Sequence, residues 1–183
     1  MDSATSAELS IAGSGTVPAS GEVSLEGAFR QYAPYVATIA LRLLGRHGEV
    51  DDLVQDVFLS AIGGLRQLRE PAAITGWLAT VTVRLARRRL RRRRFWAVLG
   101  VDEAIDYSDV AAPAAPPEDR ALLARVYAAL DGLPVEQRLA WGLRHLEGER
   151  LEAVASHCGC SLATAKRRIA AAQTVIERLV SDG

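Results

Sequence analysis

The stretch GWLATVTVRLARRRLRRRR, residues 76–94, decides how the rest of the chain is read. Its first half sets Trp77, Leu78, Val81 and Leu85 at three- and four-residue spacing, the stripe that one face of a helix buries. With Ile74 upstream, the pattern predicts a helix from about Ala72. The second half carries eight arginines, Arg84, Arg87, Arg88, Arg89, Arg91, Arg92, Arg93 and Arg94, and no acid. Charges this dense lie within a Debye length of ~8 Å and repel one another unless anions neutralise them. A helix anchored at one end and arginine-rich at the other presents its charge rigidly, and phosphates are the anions it suits. An anionic membrane surface or a merely solvated face are the alternatives. Against the first, the arginine half lacks the interleaved large apolar residues of an interfacial helix, apart from Phe95, Trp96 and Leu99.

Formal net charge over the 183 residues is zero, which by itself argues against a nucleic-acid binder. The sum hides two opposed blocks. Against the arginines stand Asp102, Glu103, Asp106, Asp109, Glu118 and Asp119, with no base among residues 101–119. Aromatic residues are only 5% of the chain, so the core rests on Leu, Val, Ile and Ala, a mixture that favours helix. No apolar run reaches the ~18 residues of a membrane span and no secretory signal is visible, so a cytoplasmic protein is expected.

Upstream, residues 1–24 are rich in Ser, Ala, Gly and Thr without periodicity and read as a disordered tail. Leu25, Phe29, Tyr32, Val36, Ile39 and Leu43 mark a first helix with Ser24 as its cap, ending around Gly45 to Gly48. A second helix begins at Val50 with an apolar stripe of Leu53, Val57, Phe58, Ala61 and Ile62, and ends at Gly63 and Gly64. A polar loop through Pro71 leads to the arginine helix.

Downstream, three prolines and the acidic block make residues 100–118 a flexible linker. A further module starts with Leu122, Val126, Ala129 and Leu130, breaks at Gly132 to Pro134, and resumes through Leu139, Leu143 and Leu146. Two helices close the chain, one over about Leu151 to His157 and one from Ser161 with Ala165, Ile169, Ala172, Ile176 and Leu179 inward. Small Ala155, turn residue Gly159 and cap Ser161 have the spacing of a helix-turn-helix. Its second helix offers Ser161, Thr164, Lys166, Arg167 and Arg168 to a major groove. An ordinary helical hairpin with a solvated basic face is the plainer reading. The expected fold is thus all-α, with two small helical domains, residues 25–99 and 119–183, joined by the linker.

His157, Cys158 and Cys160 invite a metal or redox reading, but three candidates with no second cluster make a poor site. The cysteines flank the turn glycine and are expected as free thiols serving the helix-turn-helix core. On the second helix, Asp51 and Asp52 can offset the helix dipole, whereas Asp56 lies beyond the first turn where that effect fades. The acidic face of Asp52, Gln55 and Asp56 therefore implies a basic protein partner. The scattered His47, His145 and His157 form no catalytic pattern with Ser, Cys or carboxylates, so neither enzymatic activity nor a cofactor is expected.

Taken together, VDDLVQDVFL at residues 50–59, Gly76-Trp77-Leu78 leading into the arginines, Gly132-Leu133-Pro134, Leu146-Glu147-Gly148 and the C-terminal helix-turn-helix resemble a bacterial RNA polymerase sigma factor of the extracytoplasmic-function (ECF) type. The resemblance covers about residues 25–95 and 119–180. It implies regions 2 and 4 of that family as the two domains, core RNA polymerase and promoter DNA as partners, and commonly an anti-sigma factor. Asp52, Gln55 and Asp56 would meet the polymerase clamp helices. The loop from Gly63 to Gly76, with Arg84, Arg87, Arg88, Arg91 and Arg92, would face the −10 element and help open it. Ser161, Thr164, Lys166, Arg167 and Arg168 would read the −35 element. The linker would thread toward the RNA exit path.

Two departures stand out. Arg84 and Arg88 fill places where the family usually has Asn and Asp, so its promoter preference does not carry over. Ala171 and Gln173 replace commonly basic residues, weakening the last helix as a phosphate anchor. The competing function is a stand-alone helix-turn-helix regulator acting as a dimer, but no helix face is left over for self-association.

Overall fold

The computed structural model describes residues 25–65, 73–100, 107, 110–111 and 114–181. Seven α-helices follow one another among them: α1 (Leu25–Leu44), α2 (Val50–Leu65), α3 (Ile74–Val98), α4 (Pro117–Gly132), α5 (Val135–His145), α6 (Leu151–Cys158) and α7 (Leu162–Ser181). A short 3-10 turn, His47–Glu49, leads into α2. The tail, the Ser24 cap and the loop before Pro71 lie outside the described residues.

Two helical clusters form, α1–α3 and α4–α7, as the apolar periodicities predict. Val36, Ile39 and Leu43 of α1, Leu53, Val57 and Phe58 of α2 and Ile74, Leu78 and Val81 of α3 fill the first core. Leu130, Leu139, Leu143, Val154, Ala165, Ala172 and Ile176 fill the second. Five residues placed in the apolar stripes stand out in solvent instead: Leu25 and Phe29 at the start of α1, Ile62 near the end of α2, Leu122 in α4 and Leu179 near the end of α7. Periodicity defines which face turns inward, but not how far the neighbouring helices extend to cover it.

Gly63 and Gly64 do not stop α2, which runs through both to Leu65. Glycine costs only ~1 kcal/mol in a helix interior, and here its bareness is used: a Cβ on Gly64 would overlap the Trp77 ring of α3.

The two clusters share one continuous core, with α1 and α3 packed on α5 and α3 also on α6. Their seam is polar at its centre. Arg138 of α5, 3% exposed, donates from Nε to the Leu43 carbonyl at 3.1 Å and from Nη2 to that of Leu44 at 2.9 Å, and pairs with Asp131. The last carbonyls of a helix have no intrahelical partner, so a guanidinium from the second cluster completes the end of α1. The Tyr127 hydroxyl donates to the Arg42 carbonyl at 2.9 Å.

Tyr107 revises the expectation of a free linker. It is buried, stacks on Tyr127 at 5.5 Å and donates its hydroxyl to Asp131. Both rings lie against Gly45, whose φ of +70° ends α1 and whose missing Cβ leaves them room. An aromatic side chain inside an acidic, proline-containing segment had somewhere to be buried, and that site exists only when the clusters meet.

Candidate nucleic-acid interface

The eight arginines of α3 sort by helical face. Arg89 and Arg93, four residues apart, turn toward α2 and the 3-10 turn. Arg89 reaches Asp56 at 2.6 Å and the Glu49 carbonyl at 3.1 Å, and Arg93 reaches the Glu49 carboxylate at 2.8 Å and the Leu44 carbonyl at 3.1 Å. Arg87, Arg91 and Arg94 turn toward the second cluster. Arg87 donates to the Cys158 carbonyl at 2.9 Å and Arg94 to that of Leu133 at 2.7 Å. Arg84, Arg88 and Arg92, again spaced by four, are exposed and have no partner among the described residues. The expectation that the whole cluster must await external anions is thereby corrected. Five of the eight are held by acids and carbonyls remote in sequence, which the folded chain brings alongside.

Glu136 at the start of α5 is the hub of this arrangement. Its carboxylate lies 3.2 Å from Arg87, 2.8 Å from Arg91 and 3.6 Å from Arg168. Arg87 and Arg91 come from α3 and Arg168 from α7, so one carboxylate holds candidate phosphate-binding groups of both clusters. Nothing in the sequence marked Glu136, an acid in the first turn of a helix where acids are commonplace.

The helix-turn-helix forms as its spacing predicts. Gly159 adopts the left-handed conformation at φ 62°, and the Ser161 hydroxyl accepts from the Thr164 amide at 3.2 Å, capping α7. Thr164, half-buried, is in turn occupied with Ser161, while Lys166 and Arg167 are exposed. Cys158 is buried, Cys160 packs against the core edge, and both are free thiols. Burial pushes the Cys158 thiol up to about 11. His157 shares a hydrogen bond with Thr80 of α3 at 2.9 Å, and burial lowers its pKa, which favours the neutral ring.

On α2, Asp51, Asp52 and Gln55 are exposed. Asp56, the acid that the helix dipole left unexplained, has an internal partner in Arg89. Beside Gln55 the structure adds a shallow apolar groove lined by Leu25, Phe29 and Phe58, which periodicity had assigned to the core, and by Leu59, which it had not.

The family described as Sigma-70 region 2 matches residues 28–95. The ECF RNA polymerase sigma factor SigE of Mycolicibacterium smegmatis is 34% identical over 144 residues, covering 76% of this chain and 55% of that protein. This chain thus spans about half the length of that relative. The ECF RNA polymerase sigma factor EcfG of Rhodopseudomonas palustris is 32% identical over 149 residues, 80% of each chain. Among solved structures, the sigma factor RpoE of Bartonella quintana, in complex with the anti-sigma factor NepR, has a TM-score of 0.63 at 25% identity, covering 85% of this chain and 96% of that one. A match to region 2 that ends within the arginine helix, and a 32% identity that covers 80% of both chains, lead to one assignment: the chain belongs to the extracytoplasmic-function family of bacterial RNA polymerase sigma factors.

Proposed function

We propose that the protein directs core RNA polymerase to promoters, holding the polymerase through α2 and promoter DNA through α3 and α7. The observation that carries this is that α3 exposes an unpartnered row, Arg84–Arg88–Arg92, while α2 exposes Asp52 and Gln55. One face suits phosphates and the other a basic protein surface. Asp56 contributes to the polymerase face only by releasing Arg89. Residues 25–99 and 119–183 serve as the −10 and −35 modules, with Ser161, Thr164, Lys166, Arg167 and Arg168 at the −35 element.

The closed arrangement is not the promoter-reading one. Elements ~25 base pairs apart lie ~85 Å apart along B-DNA at ~3.4 Å per pair, yet Arg87 and Arg168 meet the same carboxylate. Reading both elements requires the clusters to separate, freeing Arg87, Arg91 and Arg168 for DNA. An anti-sigma factor, the kind of partner bound in the Bartonella complex, would act by preventing that separation.

The test is reconstitution with core polymerase. Promoter DNA should be shifted by the protein with core and not by the protein alone, and Asp52→Lys should abolish polymerase association while leaving the fold intact. Tight sequence-specific binding without core would overturn the reading in favour of a stand-alone regulator.

A further inference from the structure

The Glu136 hub is short of negative charge. The guanidiniums of Arg87 and Arg91 on α3 and of Arg168 on α7 all face this one carboxylate, and no other carboxylate among the described residues lies within ion-pair distance of them. Two positive charges are left over. The hub is also short of acceptors. Only Arg91 donates a hydrogen bond to Glu136, at 2.8 Å. Arg87 Nε at 3.2 Å and Arg168 Nη1 at 3.6 Å approach the carboxylate outside hydrogen-bonding geometry. Both atoms are shut off from solvent and have no acceptor among the described residues. Buried N–H groups nearly always find an acceptor, and an ion is one of the few things that accounts for an exception.

We propose that the seam between the clusters is a binding site for a small phosphate, free or as a phosphomonoester, which takes the place of the Glu136 carboxylate between Arg87, Arg91 and Arg168. Charge and acceptor number choose the ligand. A phosphate near neutral pH carries roughly −1.5 to −2, against −1 for the carboxylate, and its additional oxygens supply what Arg87 Nε and Arg168 Nη1 lack. Guanidinium forks match such oxygens in pairs. Size favours a small ligand over the DNA backbone. The Arg87 and Arg168 side chains are only 21% and 25% exposed, whereas Arg91, at 65%, forms the mouth. A duplex is too wide to follow its phosphate into a gap between packed helices. Glu136, at the start of α5, turns out to solvent to admit the ligand. Because the three arginines come from both clusters, a phosphate held among them favours the closed arrangement, as any ligand favours the state that binds it. Its effect on promoter reading rests on the function proposed above; the site itself does not.

The test follows thermal unfolding and small-angle scattering of the full chain in sodium phosphate and in sodium chloride of equal ionic strength, with no DNA or polymerase present, so that failure of the promoter reading leaves it unaltered. Phosphate also stabilises folded proteins by exclusion from their surfaces, an effect that does not saturate, so the site is read from the saturable part. The wild-type unfolding midpoint should rise saturably with phosphate. Arg91→Ala, which removes the exposed member of the three, should raise the half-saturating concentration roughly 10-fold, and Arg168→Ala should do the same. Glu136→Gln removes the resident competitor. It should be expanded in chloride, bind phosphate severalfold more tightly than wild type, and return to the wild-type radius when phosphate is added. Glycerol 3-phosphate saturating below inorganic phosphate identifies the ligand as a phosphomonoester, and the reverse order as the free ion. Weaker phosphate binding in Glu136→Gln overturns the displacement of Glu136. Saturable stabilisation that survives Arg91→Ala and Arg168→Ala but is lost in Arg88→Ala/Arg92→Ala puts the ion on the exposed row and overturns the seam site. A rise that never saturates and is equal in every variant is surface exclusion alone, and overturns it as well. So does the absence of any saturable effect when Arg168→Ala lowers the salt dependence of duplex binding, which assigns the hub to the DNA backbone.

Discussion

The Arg138 guanidinium of α5 donates to the carbonyl of Leu44 across 2.9 Å, so a helix of the first cluster is completed by a side chain of the second. Removing one member of a buried charged network leaves the others desolvated and unpaired, at a cost of ~3–5 kcal/mol. Arg138→Ala should therefore lower the unfolding midpoint strongly and separate the clusters, read as a larger radius in small-angle scattering. A variant as compact and stable as wild type would show that this seam does not hold the protein closed.

Glu136 opposes three guanidiniums at once, so its neutralisation should favour the open arrangement. Glu136→Gln removes the ion pairs to Arg87, Arg91 and Arg168 while keeping the side chain's size. We expect severalfold tighter binding of the full chain to duplex DNA at low salt, with a steeper salt dependence as freed arginines displace counterions. Equal affinity and slope would remove Glu136 as a competitor of DNA.

The two tyrosines of the seam give it an alkaline limit. Burial pushes Tyr127 up to about 12, and burial together with its hydrogen bond to Asp131 raises Tyr107 further, from an ordinary 10.0. A group whose native pKa exceeds its unfolded value holds its proton more tightly when folded. Its contribution is complete below pH 10 and falls by ~1.4 kcal/mol per pH unit as pH climbs toward the native value. Circular dichroism should show unfolding between pH 10 and 12, coincident with tyrosinate absorbance. Titration of all four tyrosines near pH 10 with the fold retained would contradict this.

Cys158, with its thiol pushed up to about 11 from 9.0, should be a poor nucleophile in the native protein. At pH 8 iodoacetamide should label it ~100-fold more slowly than in urea, since the thiolate is the reactive form. Native labelling at the unfolded rate would reopen a redox role.

Much of the local structure was legible before folding. The stripes of Leu53, Val57 and Phe58 and of Leu78 and Val81 gave α2 and α3, and Ala155, Gly159 and Ser161 gave the helix-turn-helix, because each depends on residues within a few turns. The Gly63-Gly64 stop failed because glycine costs little inside a helix and, at Gly64, Trp77 of a different helix packs where a Cβ would be. Asp56 read as a face for a protein partner because Arg89, its ion-pair partner, is 33 residues away.

The arrangement of sequence by itself determined a family, an all-helical class and a basic helix suited to phosphate, since amphipathic spacing, turn glycines and local charge density are properties of neighbours along the chain. Only the tertiary structure decided which arginines are available. Glu49, Asp56 and Glu136 claim four of the eight and the Leu133 carbonyl a fifth, by proximity that no local pattern encodes, and Arg138, Tyr107 and Tyr127 hold the two clusters together. Charge is written residue by residue, whereas its neutralisation depends on distances of a few ångströms that exist only once the chain has folded.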